Sequence, residues 1–255
     1  METEIFGLPA FEDNYIWCLR RGDDLAVVDP GDARPVLDHL ATAGHRLSAI
    51  LITHHHADHT GGIEDLVARF RVPVFAPTAE TIAGASHPVA GGQQIRVPEL
   101  DIAFEVIDVA GHTRGHVAYY RRGTLFCGDT LFGCGCGRLF EGTAAQLHAA
   151  LAKIAALPDD TLIYCAHEYT ESGIRFAGAV EPDNPAVAVR ARQVADRRAR
   201  REPSVPFTLA DELATNPFLR CQQAAVAATV ANRLGRQAAD ELEVFTELRK
   251  WRDNF

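Results

Sequence analysis

The sequence predicts an α/β domain followed by a smaller all-helical domain, and three observations carry that expectation. Short apolar runs alternate with helical periodicity as far as residue 169, strand signals then stop, and several of the apolar runs end abruptly in a histidine or an aspartate.

Residues 4–8, 15–19 and 25–28 read as strands and 34–43 as a helix. Asp29-Pro30-Gly31 closes the third strand with a carboxylate at a turn. That carboxylate suits an ordinary turn and a supporting role behind a metal ligand equally well. Ala49-Ile50-Leu51-Ile52 reads as a buried strand that runs into Thr53-His54-His55-His56-Ala57-Asp58-His59-Thr60. Gly61-Gly62 then leads into Ile63, Leu66, Val67 and Phe70, the apolar face of an amphipathic helix. The four histidines therefore sit in a strand-to-helix turn, where no fold needs them for packing. In extended chain His54 and His56 point to one side, and Asp58 and His59 turn toward a second point. A tag would be terminal and would lack the interleaved aspartate, whereas His and Asp at short spacing suit divalent metals.

A strand at 72–75 follows, and a polar connection through Gly91-Gly92-Gln93 leads to a strand at 102–109 that ends at Gly111-His112-Thr113-Arg114-Gly115-His116. Residues 117–120 and 124–127 form a predicted hairpin about Arg121-Arg122-Gly123, and the second strand stops at Gly128-Asp129-Thr130. A helix at 143–157 precedes a strand at 162–165, which runs into Ala166-His167-Glu168-Tyr169. Strand ends near 54–59, 112, 129 and 167 thus each deliver a metal-binding side chain, the pattern of an α/β fold with its site along one sheet edge. His116 begins a strand and is expected to pack or to support a ligand. His39, His45, His87 and His148 fall on helices or loops and are expected to be partnerless surface residues.

Beyond residue 170 the segments 171–179, 185–200, 209–214, 221–234 and 238–251 read as helices, with Pro182, Pro203 and Pro206 as punctuation. Arg190, Arg192, Arg197, Arg198, Arg200 and Arg201 are expected to form a solvated helix face.

Composition narrows the function. The net charge of −9 opposes general nucleic-acid binding, which needs a basic surface. Residues 1–170 carry 12 basic against 22 acidic side chains while 171–255 carry 13 against 12, so the helical part is the better host for an anion. The acidic start Met1-Glu2-Thr3-Glu4 and the lack of a long apolar run predict a protein of the cytoplasm that does not engage membranes. Six scattered cysteines fit reduced thiols, not a disulfide framework, and Cys134-Gly135-Cys136 lacks the spacing of a redox or zinc motif. No Gly-x-Ser-x-Gly is present and no cysteine has an evident base partner, which disfavours an acyl-enzyme.

These motifs resemble those of the metallo-β-lactamase superfamily. Thr53-His54-His55-His56-Ala57-Asp58-His59 matches its T-H-x-H-x-D-H signature, and Gly111-His112-Thr113, Gly128-Asp129-Thr130 and His167 match its later metal motifs. Asp13-Asn14-Tyr15-Ile16-Trp17, Gly135-Cys136-Gly137-Arg138, Phe140-Glu141-Gly142-Thr143, His167-Glu168-Tyr169-Thr170, Asn216-Pro217-Phe218-Leu219-Arg220 and Arg249-Lys250-Trp251-Arg252-Asp253-Asn254-Phe255 narrow the resemblance to the glyoxalase II (hydroxyacylglutathione hydrolase) family. It extends over nearly the whole chain.

The resemblance implies an αββα sandwich over residues 1–169 and a helical substrate-binding domain over 170–255. It implies two divalent metal ions, zinc before iron or manganese. One would be held by His54, His56 and His112, the other by Asp58, His59 and His167, with Asp129 bridging. The implied substrate is a glutathione thioester, S-D-lactoylglutathione, cleaved by a metal-bridging hydroxide that Asp58 orients, in the second step of methylglyoxal detoxification by a monomeric enzyme. The implied substrate contacts are Arg138, Phe140, Tyr169, Arg249 and Arg252. Arg138 and Arg252 stand where many members have lysine, and Phe140 where many have tyrosine. Arginine keeps the charge and can grip a carboxylate with two bonds, whereas phenylalanine loses a hydrogen bond. Arg249 and Arg252, three apart on a predicted helix, share one face. A persulfide dioxygenase of the same superfamily, using one iron and consuming oxygen, is the nearest rival, and a metal- or glutathione-binding protein without turnover is the rival from another class.

Overall fold

The computed structural model describes residues 3–255, so Met1 and Glu2 of the acidic start lie outside the described residues. The first sheet has six strands side by side in chain order: β1 (Glu4–Ala10), β2 (Asn14–Arg21), β3 (Asp24–Val28), β4 (Arg46–Leu51), β5 (Val74–Pro77) and β6 (His87–Val89). β1 to β3 pair antiparallel; β3 to β6 run parallel. Parallel neighbours need long crossovers. Here α1 (Ala33–Ala43) joins β3 to β4, and α2 (Ala57–Thr60) with α3 (Ile63–Phe70) joins β4 to β5. Asp32 starts α1 by accepting the Arg34 N–H, and Gly44 ends it at φ 71°. Val36 and Leu40 of α1 and Ile63 and Leu66 of α3 share one core with Leu25, Val27, Ile50 and Ile52. Each such side chain contributes roughly 1.5–3 kcal/mol by burial, which fixes the loop preceding α2 at the end of β4.

The second sheet draws on β7 (Gln94–Val97), β8 (Ile102–Asp108), β9 (Val117–Arg121) and β10 (Thr124–Gly128). A two-stranded ribbon of β11 (Leu131–Phe132) and β12 (Gly135–Cys136) follows, then α4 (Ala144–Ala155) and β13 (Leu162–Cys165). With β14 (Phe207–Thr208) the sheet order is β14-β13-β10-β9-β8-β7. The buried Tyr119 of β9 donates its hydroxyl to the carbonyls of Ile52 and Phe75, 2.8 and 3.2 Å away, and so ties β9 to the first sheet. Burial raises the pKa of that hydroxyl well above its ordinary value.

The remaining helices are α5 (Thr170–Val180), α6 (Pro185–Ala199), α7 (Leu209–Thr215), α8 (Ala224–Leu234) and α9 (Glu241–Asp253), with a 3-10 turn at Pro217–Leu219. Phe176, Phe218, Phe245 and Trp251 build an aromatic core among them. Contacts concentrate in two units. One runs through Asp108 and includes Thr113–Gly128; the other comprises Val109–His112 and Asp129–Phe255.

Several expectations need correction. Strands do not stop at residue 170, because Phe207–Thr208 pairs antiparallel with Leu162 and Ile163; two residues are too few to show alternation. The three-residue β6 and the two-residue β11 and β12 escape sequence reading for the same reason, whereas the four-residue β7 does alternate, with Ile95 and Val97 buried. α8 begins at Ala224, not 221, since the chain turns after Pro217–Leu219. Arg190 is no solvated residue. It is 6% exposed, ion-paired with the fully buried Glu212 at 2.5 Å, and hydrogen-bonded to Thr215 Oγ1 at 2.6 Å. His39 and His45 are mutual partners, ring nitrogens 3.1 Å apart, His87 meets Ser86 Oγ at 2.9 Å and His148 meets Glu241 at 3.2 Å, so none of the four is partnerless.

Candidate metal centre and adjoining pocket

The loops that carry His54, His59 and His112 are held from behind. At the end of β3 the Asp29 carboxylate accepts the Thr53 N–H at 2.8 Å and the Thr53 hydroxyl at 2.7 Å, and its Oδ2 lies 3.0 Å from His59 Nδ1. With its proton committed to Asp29, the Thr53 oxygen can accept from His54 Nδ1, 3.1 Å away. Asp29 thus sets the tautomer of His59 directly and that of His54 through Thr53, so that each Nε2 carries the ring's lone pair. Of the two readings of Asp29, the structure supports the one behind the ligands. His112 Nδ1 donates to the Arg138 carbonyl at 2.8 Å, which puts the ring's lone pair on its Nε2 as well.

Two glycines permit the close approaches. A side chain at Gly31 would collide with the Asp58 backbone, and one at Gly128, at φ 49°, would meet Thr53 Oγ1 and sit 2.9 Å from His116. His116 is fully buried and stacks on His54, centroids 4.5 Å apart and planes 16° apart, in the packing position expected of it.

The ligand atoms of His54, His56 and His112 lie within 4.8 Å of one another, as do those of His54, His59 and Asp129, and those of Asp58, His59 and His167. All seven sequence-predicted positions are gathered. His54 Nε2 and His56 Nδ1 stand at hydrogen-bond distance, 3.1 Å, while three other separations fit shared ions better than hydrogen bonds. His112 Nε2 is 3.4 Å from Asp129 Oδ2, His167 Nε2 is 3.3 Å from Asp129 Oδ1, and His59 Nε2 is 3.5 Å from Asp58 Oδ2. These exceed the usual N–H···O limit of about 3.2 Å. Donors that bind one ion at about 2.1 Å stand roughly 3–3.5 Å apart, so the donor chemistry and spacing suit a divalent metal. Asp129 offers one oxygen toward His112 and the other toward His167. His55 belongs to no triad; its Nδ1 lies 3.0 Å from the buried Glu80. That carboxylate also accepts the Thr113 hydroxyl and the Gly115 N–H, bracing the two histidine-bearing loops together. Neither Glu80 nor Asn14, whose amide reaches Asp58, was indicated as functional by the sequence. Glu80 carries no local signal, and Asn14 appears only inside a family motif.

A pocket lies beside these ligands, lined by Phe132, Cys136, Arg138, Tyr169, Arg249, Arg252 and Asp253 with three glycines. Tyr169 stacks on His167, centroids 4.7 Å apart and planes 7° apart, and Phe132 meets both rings edge-on. Arg249 is buried. Its Nη1 donates to the carbonyls of Cys136 and Gly137 at 2.8 and 3.3 Å, and its Nη2 to Asp253 at 3.1 Å. Arg252 donates to Ser172 Oγ at 2.7 Å, and burial followed by the nearby Arg249 and Arg175 cations lowers its pKa. Arg138 is mostly exposed at the rim and reaches Asp253 at 3.4 Å. Phe140 stands apart from this lining, 61% exposed and edge-on to His112 at 5.3 Å.

The cysteines take no part as nucleophiles. All six are buried free thiols, and burial above all pushes Cys134 up to about 12 and Cys18, Cys136 and Cys221 upward as well.

Comparison with known proteins gives two family matches: the metallo-beta-lactamase superfamily over residues 11–167 and the hydroxyacylglutathione hydrolase C-terminus over residues 168–255. A hydroxyacylglutathione hydrolase of Dechloromonas aromatica (strain RCB) is 54% identical over 265 residues, covering 99% of each chain. One of Nitrosomonas eutropha (strain DSM 101675 / C91 / Nm57) is 48% identical over 252 residues with the same coverage. The crystal structure of ETHE1 from Myxococcus xanthus superposes with a TM-score of 0.64 at 23% identity, covering 91% of this chain and 98% of that one, a likeness of fold alone.

Proposed function

The chain belongs to the hydroxyacylglutathione hydrolase family of the metallo-β-lactamase superfamily, and from that premise we propose that it hydrolyses S-D-lactoylglutathione to glutathione and D-lactate, the second step of methylglyoxal detoxification. One observation carries the reading. Tyr169 and Phe132 line the arginine pocket and also pack on His167, so a ligand whose anionic end occupies the pocket has its other end beside the ligand cluster.

We assign His54, His56 and His112 to one divalent ion and Asp58, His59 and His167 to a second, with Asp129 between them. Zinc is our choice, iron and manganese being the alternatives that a His/Asp donor set also accepts. Bound there, the ions would supply Lewis acidity, which makes water acidic enough to act as a nucleophile near neutral pH and polarises a thioester carbonyl.

The chain's own residues do the rest. Asp58, its side chain 41% exposed, is placed to orient the attacking water by accepting its proton in a hydrogen bond. Arg138, Arg249 and Arg252 give the pocket the charge to take the carboxylates of glutathione, and Tyr169 closes the wall between pocket and His167. Arg249, whose bonds go largely to backbone, acts through the pocket's shape and field. Phe140 can offer only an apolar contact. We propose residues 1–169 as the catalytic domain and 170–255 as the substrate-binding domain, a division that the limits of the two family matches support. Six free thiols support the cytoplasm as its compartment, and no described helix is long and apolar enough to cross a membrane. The net charge of −9 favours a monomer.

Metal-replete protein should release glutathione and D-lactate from S-D-lactoylglutathione. Absence of turnover with substrate well above micromolar levels would sink the proposal.

A further inference from the structure

Asn14 is the first residue of β2, pairing with Ala10 across a hairpin whose turn holds Phe11 at φ 51°. It is 8% exposed. Its side-chain nitrogen lies 3.0 Å from Asp58 Oδ2, 44 residues away in sequence. The orientation of that amide is fixed by chemistry, because an ionised carboxylate only accepts, so the NH2 group and not the carbonyl must face it. The same Oδ2 lies 3.5 Å from His59 Nε2. Asp58 is thus approached closely by Gly31 at its backbone and held by Asn14 at its carboxylate.

The contact is selective. Asp58 belongs to the triad with His59 and His167, not to that of His54, His56 and His112. Asp29, by contrast, supports one ligand from each triad. We propose that Asn14 is a positioning residue for the second ion of the centre: its amide fixes the rotation of the Asp58 carboxylate, so that one oxygen stays turned toward His59 and His167. A hydrogen bond from the amide to a ligand carboxylate also spreads its charge and restrains it from swinging into solvent, to which Asp58 is the most open of the paired ligands. The inference rests on the two-ion reading given above.

The test is a stepwise zinc titration of the metal-free protein against a chromophoric chelator. Wild type should take up two ions. Asn14→Ala should bind the first with unchanged affinity and the second roughly 10- to 100-fold more weakly, the usual effect of removing an outer partner of a ligand. Asn14→Leu keeps the volume without the donor and should behave alike; if it retains the second step, packing and not the hydrogen bond positions Asp58 and the proposal fails. Equal weakening of both steps would also overturn it, since a general loosening of the fold is not selective. Wild type that binds only one ion removes its basis. Wild type that binds two ions but cleaves no S-D-lactoylglutathione would refute the assigned reaction and leave the role of Asn14 standing.

Discussion

His55 and Asp29 show how little a residue's type says about its duty. His55 stands in the middle of the histidine tract, yet its ring nitrogen meets Glu80 and it joins none of the triads. His55→Ala should therefore keep both ions, as elemental analysis of the purified variant would show; loss of either would mean the ligands are divided wrongly. Asp29 has the sequence surroundings of an ordinary turn. Through Thr53 and His59 it reaches both triads, so Asp29→Ala should weaken both zinc-binding steps, roughly 10-fold or more each, in the same titration that leaves the first step of Asn14→Ala untouched. The proposed ligands are legible because imidazoles and carboxylates after apolar strands have no packing purpose. Their supports are not, because Asn14, Asp29 and Glu80 act across 44, 30 and 35 residues of chain.

At the scale of elements, the segment from Phe132 to Arg138 is shaped by the helices around it. Asn216, beyond α7, donates to the Gly135 carbonyl at 2.9 Å and to Glu212 at 2.7 Å, and Glu212 accepts the Cys134 N–H at 2.9 Å. Arg249 of α9 holds Cys136 and Gly137. The two arginines on one face of α9 therefore have different work. Arg249→Ala should raise KM more than it lowers kcat, and should also lose about 1–3 kcal/mol of stability in denaturant, since it strands buried carbonyls. Arg252→Ala should raise KM with a smaller stability loss. Equal unfolding midpoints for the two variants would refute this distinction. Helical periodicity located α9 and its shared face, but it could not say which arginine turns inward. Arg190 makes the same point on α6: its run of arginines reads as solvated, and only the placement of Glu212 on α7 draws it into the interior.

At the scale of the whole molecule, the proposed ligands come from separated parts of the chain, so metal binding should report on the folded state. An ion present at about 100 times its dissociation constant stabilises by about 2.7 kcal/mol. Chelation should then lower Tm by roughly 5–10 °C for a chain of this size, read by calorimetry with and without chelator. An unchanged Tm would argue that the triads hold no ion.

The sequence by itself determined the α/β-then-helix order, the strand ends that carry the seven proposed ligands, and the family, because periodicity and chemically costly residue types are local signals. Tertiary structure alone decided which carboxylates stand behind those ligands, why Arg190 is buried, and how Arg249 and Arg252 differ. Each of these depends on a partner far along the chain, and hydrogen bonds and burial follow distance in space, which no local pattern records.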